Sequence, residues 1–147
     1  MCSGYALKRH KYDGGRFYAL RRVSVEDDFV DDIKSRGDPN GILSMSVRSI
    51  RAIDRLGLRY AVTHSLARHL SDKILLLEFK TRGTAWRVAA FWAEKTEHHD
   101  SVAVLIDAFK GHSGKRAHIP TRTIQGLEGK ALIAEKLVEK ERKNGNL

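Results

Sequence analysis

From residue 73 onward, apolar and polar positions alternate with the two-residue period of a half-buried strand. In the run 73–82, Leu75, Leu77 and Phe79 fall on one side and Glu78, Lys80 and Arg82 on the other. In a second run, 85–94, Trp86, Val88, Ala90 and Trp92 alternate with Arg87. A third, 101–110, is apolar at consecutive positions from Val102 to Ile106, as expected of a central strand covered on both faces. Gly83-Thr84 reads as the two-residue turn joining the first two runs. A tight hairpin closing there sets Arg82 opposite Ala85, Lys80 opposite Arg87 and Glu78 opposite Ala89, with Glu78 diagonal to Arg87. Lys80, Arg82 and Arg87 then share one face. Like charges directly across a sheet repel, so an anion between them is the natural complement, and this face reads as a phosphate-binding, hence nucleic-acid, surface.

The front half changes period. Residues 1–16 are polar, basic and broken by glycine, which predicts a mobile tail. FYALRRVSV (17–25) suits a first strand. Ser24 and Asp27 fit a capping box opening a helix to about Arg36, with Phe29 and Ile33 four apart on its buried side. Gly37-Asp38-Pro39-Asn40-Gly41 is a turn signal. After it, Leu43, Val47, Ile50, Ile53 and Leu56 recur at helical spacing until Gly57. Residues 59–72, with Leu66 and Leu70 among His64, Arg68 and His69, fit either a short helix or an ordered loop. Pro120 with Thr121 or Thr123 opens a last helix carrying Leu127, Ala131, Ala134 and Val138 along one side. Its end, 141–147, is charged and expected to fray. The expectation is one α+β domain over 17–140, in the order β-α-α-β-β-β-α, with an N-terminal helix pair and a C-terminal helix.

Composition narrows the class. The chain has 147 residues, 41% of them hydrophobic, enough for one ordinary core. No apolar run approaches the roughly 20 residues of a membrane span, the N-terminus lacks the apolar stretch of a secretory signal, and Cys2 is the sole cysteine, so neither a disulfide framework nor a cysteine-rich zinc site is available. A cytosolic protein is the simplest expectation. The net charge of +9 points to a polyanionic partner. Its distribution sharpens this: 26–32 is acidic, whereas no acid lies between Asp107 and Glu128, where Lys110, His112, Lys115, Arg116, His118 and Arg122 cluster. Gly111 and Gly114 permit the backbone a phosphate-cradling loop needs. Adjacent His98 and His99 point apart in a strand or turn, which argues against a zinc site there.

Four segments fall in a telling order: Leu77-Glu78-Phe79-Lys80, Trp86-Arg87-Val88, Ala108-Phe109-Lys110 and Ile119-Pro120. With the element order, they make residues 17–135 resemble the RelE/HigB-type toxins of bacterial type II toxin–antitoxin systems, especially the phage-associated HigB-like branch. The chain departs from that pattern at Lys80 (usually Arg) and Phe79 (usually Leu). It also lacks paired lysines after residue 110, where Lys115-Arg116 stands farther along, and has no tyrosine beyond Tyr60.

The resemblance implies a RelE-like fold with a small mixed or antiparallel sheet. It further implies a cytoplasmic, metal-independent endoribonuclease without cofactor that cleaves mRNA, in many relatives on the ribosome, and is held in check by a helix-turn-helix antitoxin. Attack of a ribose 2′-OH on the adjacent phosphate needs a base, cations for the developing charge and an acid for the leaving oxygen. Arg87 is the expected phosphate clamp, with Lys80 and Lys110 adding charge and His112 and His118 as acid–base candidates. Arg82, Lys115, Arg116 and Arg122 are the expected RNA-binding cations. Arg87 also has a simpler use, pairing with Glu78 across the hairpin, and the two roles are compatible. Two other classes stay open: a ParE-like toxin acting on DNA gyrase, favoured by the missing C-terminal tyrosine, and a non-catalytic phage-encoded nucleic-acid-binding protein.

Overall fold

The computed structural model of the chain describes residues 4–12, 15–24, 38–110 and 119–147. The helix expected over Ser24 to Arg36, with Phe29 and Ile33, lies outside the described residues apart from its first position.

The described elements, in chain order, are β1 (Tyr5–Tyr12), β2 (Gly15–Arg22), α1 (Pro39–Leu56), α2 (Leu58–Thr63), β3 (Arg68–His69), β4 (Leu75–Thr81), β5 (Thr84–Ala93), β6 (Val102–Lys110) and α3 (Thr121–Lys143). The strands form one mixed sheet in the order β1-β2-β6-β5-β4-β3. β2 runs parallel to β6 and every other neighbouring pair is antiparallel. The fold class is α+β.

Both faces of the sheet are covered. Trp86, Val88, Ala90, Leu75 and Leu77 pack with Ile42, Ile50 and Ile53 of α1 and Ala61 of α2. Leu76, Ala89, Phe91, Val104 and Ile106 pack with Leu127, Ala131, Ala134 and Val138 of α3. Those four α3 residues are the ones its helical spacing predicts, and all are buried. β6 sits inside the sheet, which explains a strand apolar at successive positions.

Asp38 and Pro39 start α1 rather than a free turn. Proline at the first helical position loses no hydrogen bond, and the Asp38 carboxylate accepts from the Gly41 N–H at 3.2 Å. Gly57, at φ 91°, ends the helix. Leu56, expected on its buried side, is exposed. Residues 59–72 contain both a short helix, α2, and the two-residue strand β3.

Three expectations are corrected. Residues 1–16 are not simply a tail: Tyr5–Tyr12 pairs along its whole length with β2, Leu7 opposite Leu20 and His10 opposite Phe17. Tyr5, Leu7 and Tyr12 pack on the core, so enough apolar surface is covered to hold a basic strand in place. Nor does the chain end fray from 141. α3 continues to Lys143, and Arg142 Nη2 donates to the carbonyls of Glu94 at 3.1 Å and Asp100 at 2.7 Å.

The third correction is the β4–β5 register. The turn residues are Arg82 and Gly83, at φ 49° and 79°, so Glu78 lies opposite Arg87 and Lys80 opposite Ala85. Two left-handed residues match the twist of the flanking strands. Glycine takes that conformation freely, and here Arg82 adopts it as well.

Candidate nucleic-acid interface

The register shift is even, so the faces expected for β4 and β5 survive while the partners change. Arg87 shares the α3-side face with Ala89 and Phe91. Its cross-strand partner is now an acid: Arg87 Nε lies 3.1 Å from Glu78 Oε2. Glu78 Oε1 accepts from Arg68 Nε of the edge strand β3 at 2.8 Å. One carboxylate thus bridges two guanidinium groups, and the repulsion expected between Lys80 and Arg87 does not arise.

Depth separates these cations. The Arg87 side chain, on a strand flanked on both sides, is only 10% exposed, whereas Arg68 of the edge strand is 49% exposed. Arg87 is therefore a buried base to the cluster rather than the surface ligand its position in the alternation implied. Lys80, two residues along β4 from Glu78, is exposed on the same face. Among the described residues, Arg87, Arg68 and Lys80 stand around the Glu78 carboxylate on this face.

Arg82 does not join them. It sits in the turn, 83% exposed, with Nε 3.6 Å from Asp38 Oδ2 at the N-terminus of α1. Lys110 is also displaced, and the cause is a bulge. The β5–β6 register steps from Ala89 opposite Asp107 to Ala90 opposite Leu105, leaving Ile106 as an extra residue on β6. The alternation flips there. Phe109 falls opposite Arg87, and Lys110 opposite Trp86, a residue of the α1-side core. Lys110 therefore occupies the other face from Arg87. Arg122 is exposed in the first turn of α3. His112, Lys115, Arg116 and His118 lie outside the described residues.

Far from this cluster, on the α1 side, is a cleft of about 510 Å³ that no sequence motif marks. Tyr12, Asp54, Trp92 and Ser101 line it, with Ile50, Ile53, Leu58 and Ala103 as apolar wall and Arg16, Glu94, Lys95 and Asp100 as charged lining. The Ser101 hydroxyl donates to Asp54 Oδ1 at 2.8 Å. The Tyr12 ring stacks on Phe17, with the Arg51 guanidinium 5.4 Å from its centroid. Burial, and then the Asp54 carboxylate, hold the Tyr12 phenol above its ordinary pKa of 10.0, against the pull of Arg51. Tyr12, Asp54, Trp92 and Ser101 come from β1, α1, β5 and the residue preceding β6, so their meeting depends on the strand pairing at 5–12.

Comparison with models of protein families, with curated proteins and with solved structures found no match to this chain. Among the described residues, no helix is long and apolar enough to cross a membrane.

Proposed function

We propose that this chain is a toxin of the RelE/HigB type, a metal-independent endoribonuclease that engages mRNA, on the ribosome as in many of its counterparts, and is neutralised by a helix-turn-helix antitoxin. The observation carrying this reading is a convergence. The segments that bear the resemblance are separated along the chain, yet Glu78, Arg87 and Phe109 form one continuous cross-strand row in β4, β5 and β6. Lys80 and Arg68 stand exposed beside that row. In this reading they are the first contacts for the phosphodiester, and the buried Arg87 fixes the Glu78 carboxylate and contributes positive potential from below. Proton transfer is assigned to His112 and His118. Lys110 is left out of the Arg87 cluster by its face.

A second reading has its own support. Both oxygens of Glu78, the acid closest in register to Arg87, are engaged by guanidinium groups. That suits a binding surface better than a proton shuttle, and favours a non-catalytic nucleic-acid-binding protein with the same face.

Induced expression separates the two. The toxin reading expects growth arrest and rescue by the product of an adjacent helix-turn-helix gene. Unimpaired growth at high expression of soluble protein would count against it, and RNA retention without cleavage would favour the binding protein.

A further inference from the structure

The cleft between α1 and the β1–β2 hairpin has the chemistry of a ligand site, and it plays no part in the function proposed above. Its apolar wall, Trp92 indole and Tyr12 ring suit a flat aromatic body. The carboxylates of Asp54, Glu94 and Asp100 line it, and Asp54 is the one that shares α1 with the apolar Ile50 and Ile53. Ser101 occupies one lone pair of Oδ1, and Oδ2 has no donor among the described residues. A carboxylate on an apolar wall selects a ring that presents N–H donors along one edge.

At its mouth the cleft passes into a smaller hollow of about 210 Å³, and the two share Arg16, Lys95 and Asp100. Arg142, His98 and His99 line the hollow as well, together with the acids Glu97 and Asp100. The charge is mixed, so an anion is drawn to the Arg16, Lys95 and Arg142 side of this lining. The adjoining hairpin adds an independent sign. Lys11 lies directly across from Arg16, and among the described residues neither meets a carboxylate. Like charges in register lower stability, and an anion bound beside them offsets that cost.

We infer that the cleft is a purine nucleotide site, with a guanine base against Trp92 and Asp54 and the phosphate at Arg16 and Lys95. Guanine is favoured because its N1–H and N2–H donors are adjacent and meet one carboxylate together. Adenine offers a carboxylate one amino group beside a ring acceptor, and the two acceptors repel. The Arg51 guanidinium lies over the Tyr12 ring, 5.4 Å from its centroid.

The test is calorimetric titration of the full chain with GMP, AMP, guanosine and ribose 5-phosphate. Saturable binding of GMP is expected, with AMP weaker by about tenfold or more, the scale of one hydrogen bond to a charged group. Asp54→Asn should abolish the preference for GMP over AMP. Arg16→Ala and Lys95→Ala, both at exposed positions, should weaken GMP while leaving guanosine unchanged. The proposal is overturned if the folded wild-type chain shows no saturable GMP binding. It is equally overturned if AMP or ribose 5-phosphate binds as well as GMP, or if a folded Asp54→Asn variant, checked by circular dichroism, keeps the preference. RNA cleavage enters none of these readouts, so the site stands or falls apart from the toxin reading.

Discussion

Arg87 and Glu78 face each other across the β4–β5 hairpin, Nε to Oε2 at 3.1 Å, and Arg68 takes the other carboxylate oxygen at 2.8 Å. The chain thus supplies, in Glu78, an anion at the place where the alternation alone called for an external one. A nucleic acid meeting this face would meet Lys80 and Arg68 first. The cluster is also structural, since a guanidinium as deep as that of Arg87 is costly to leave with fewer partners.

Removing Glu78 should therefore cost more than removing its exposed partner. Glu78→Ala is expected to lower unfolding free energy by about 1–3 kcal/mol, the range for a hydrogen bond to a charged group. Arg68→Ala should cost less than about 1 kcal/mol, as for an exposed pair. Urea denaturation of the two variants gives the order directly, and a larger loss from Arg68→Ala would contradict it.

The start of α1 offers a second check. A Cβ added at Gly41 would run into the Asp38 carboxylate that caps the helix. Gly41→Ala should displace the cap and cost roughly 1 kcal/mol, about the same as Asp38→Ala. The double variant should cost little more than either single one, because both remove the same hydrogen bond. Full additivity in thermal or urea unfolding would show that the two residues act separately.

The hairpin turn gives a third. Gly83, at φ 79°, should not accept a β-branched side chain, so Gly83→Val is expected to cost at least about 1 kcal/mol. Arg82→Asn should be neutral or slightly stabilising. Asparagine tolerates the left-handed conformation better, and the 3.6 Å pairing of an exposed Arg82 with Asp38 is worth little. A marked loss from Arg82→Asn would give that pairing a larger role.

How much of this could be read in advance differs by element. Leu127, Ala131, Ala134 and Val138 lie at helical spacing in α3 and are its buried residues, because one period and one apolar stripe leave no ambiguity. The β4 and β5 faces were legible for the same reason. The register was not, since it depends on Arg82 adopting a positive φ, which composition does not disclose. The bulge in β6 was hidden because a strand apolar on both faces carries no parity signal. β1 was hidden by its cations: Lys8, Arg9 and Lys11 mask the alternation of Tyr5 and Leu7. With β1 unread, the meeting of Tyr12 with Asp54 and Ser101 was out of reach.

The cleft predicts a pH dependence. The Tyr12 phenol is raised above its ordinary pKa by burial and by Asp54, so the folded state favours the neutral form. Its contribution is complete below the unfolded value of 10.0 and is lost as pH rises through the higher folded value. As pH rises through and beyond 10.0, wild-type stability should fall more steeply than that of Tyr12→Phe. Parallel curves from urea denaturation at each pH would place the phenol in an unperturbed setting.

Metal-independent cleavage of mRNA is read by 5′-end mapping of a message incubated with the purified chain and ribosomes in excess chelator. New 5′ ends are expected at discrete positions, undiminished by the chelator and suppressed by about tenfold or more in a Lys80→Ala, Arg68→Ala double variant that still folds. Intact mRNA with the wild-type chain, or cleavage that persists in the double variant, would contradict this expectation.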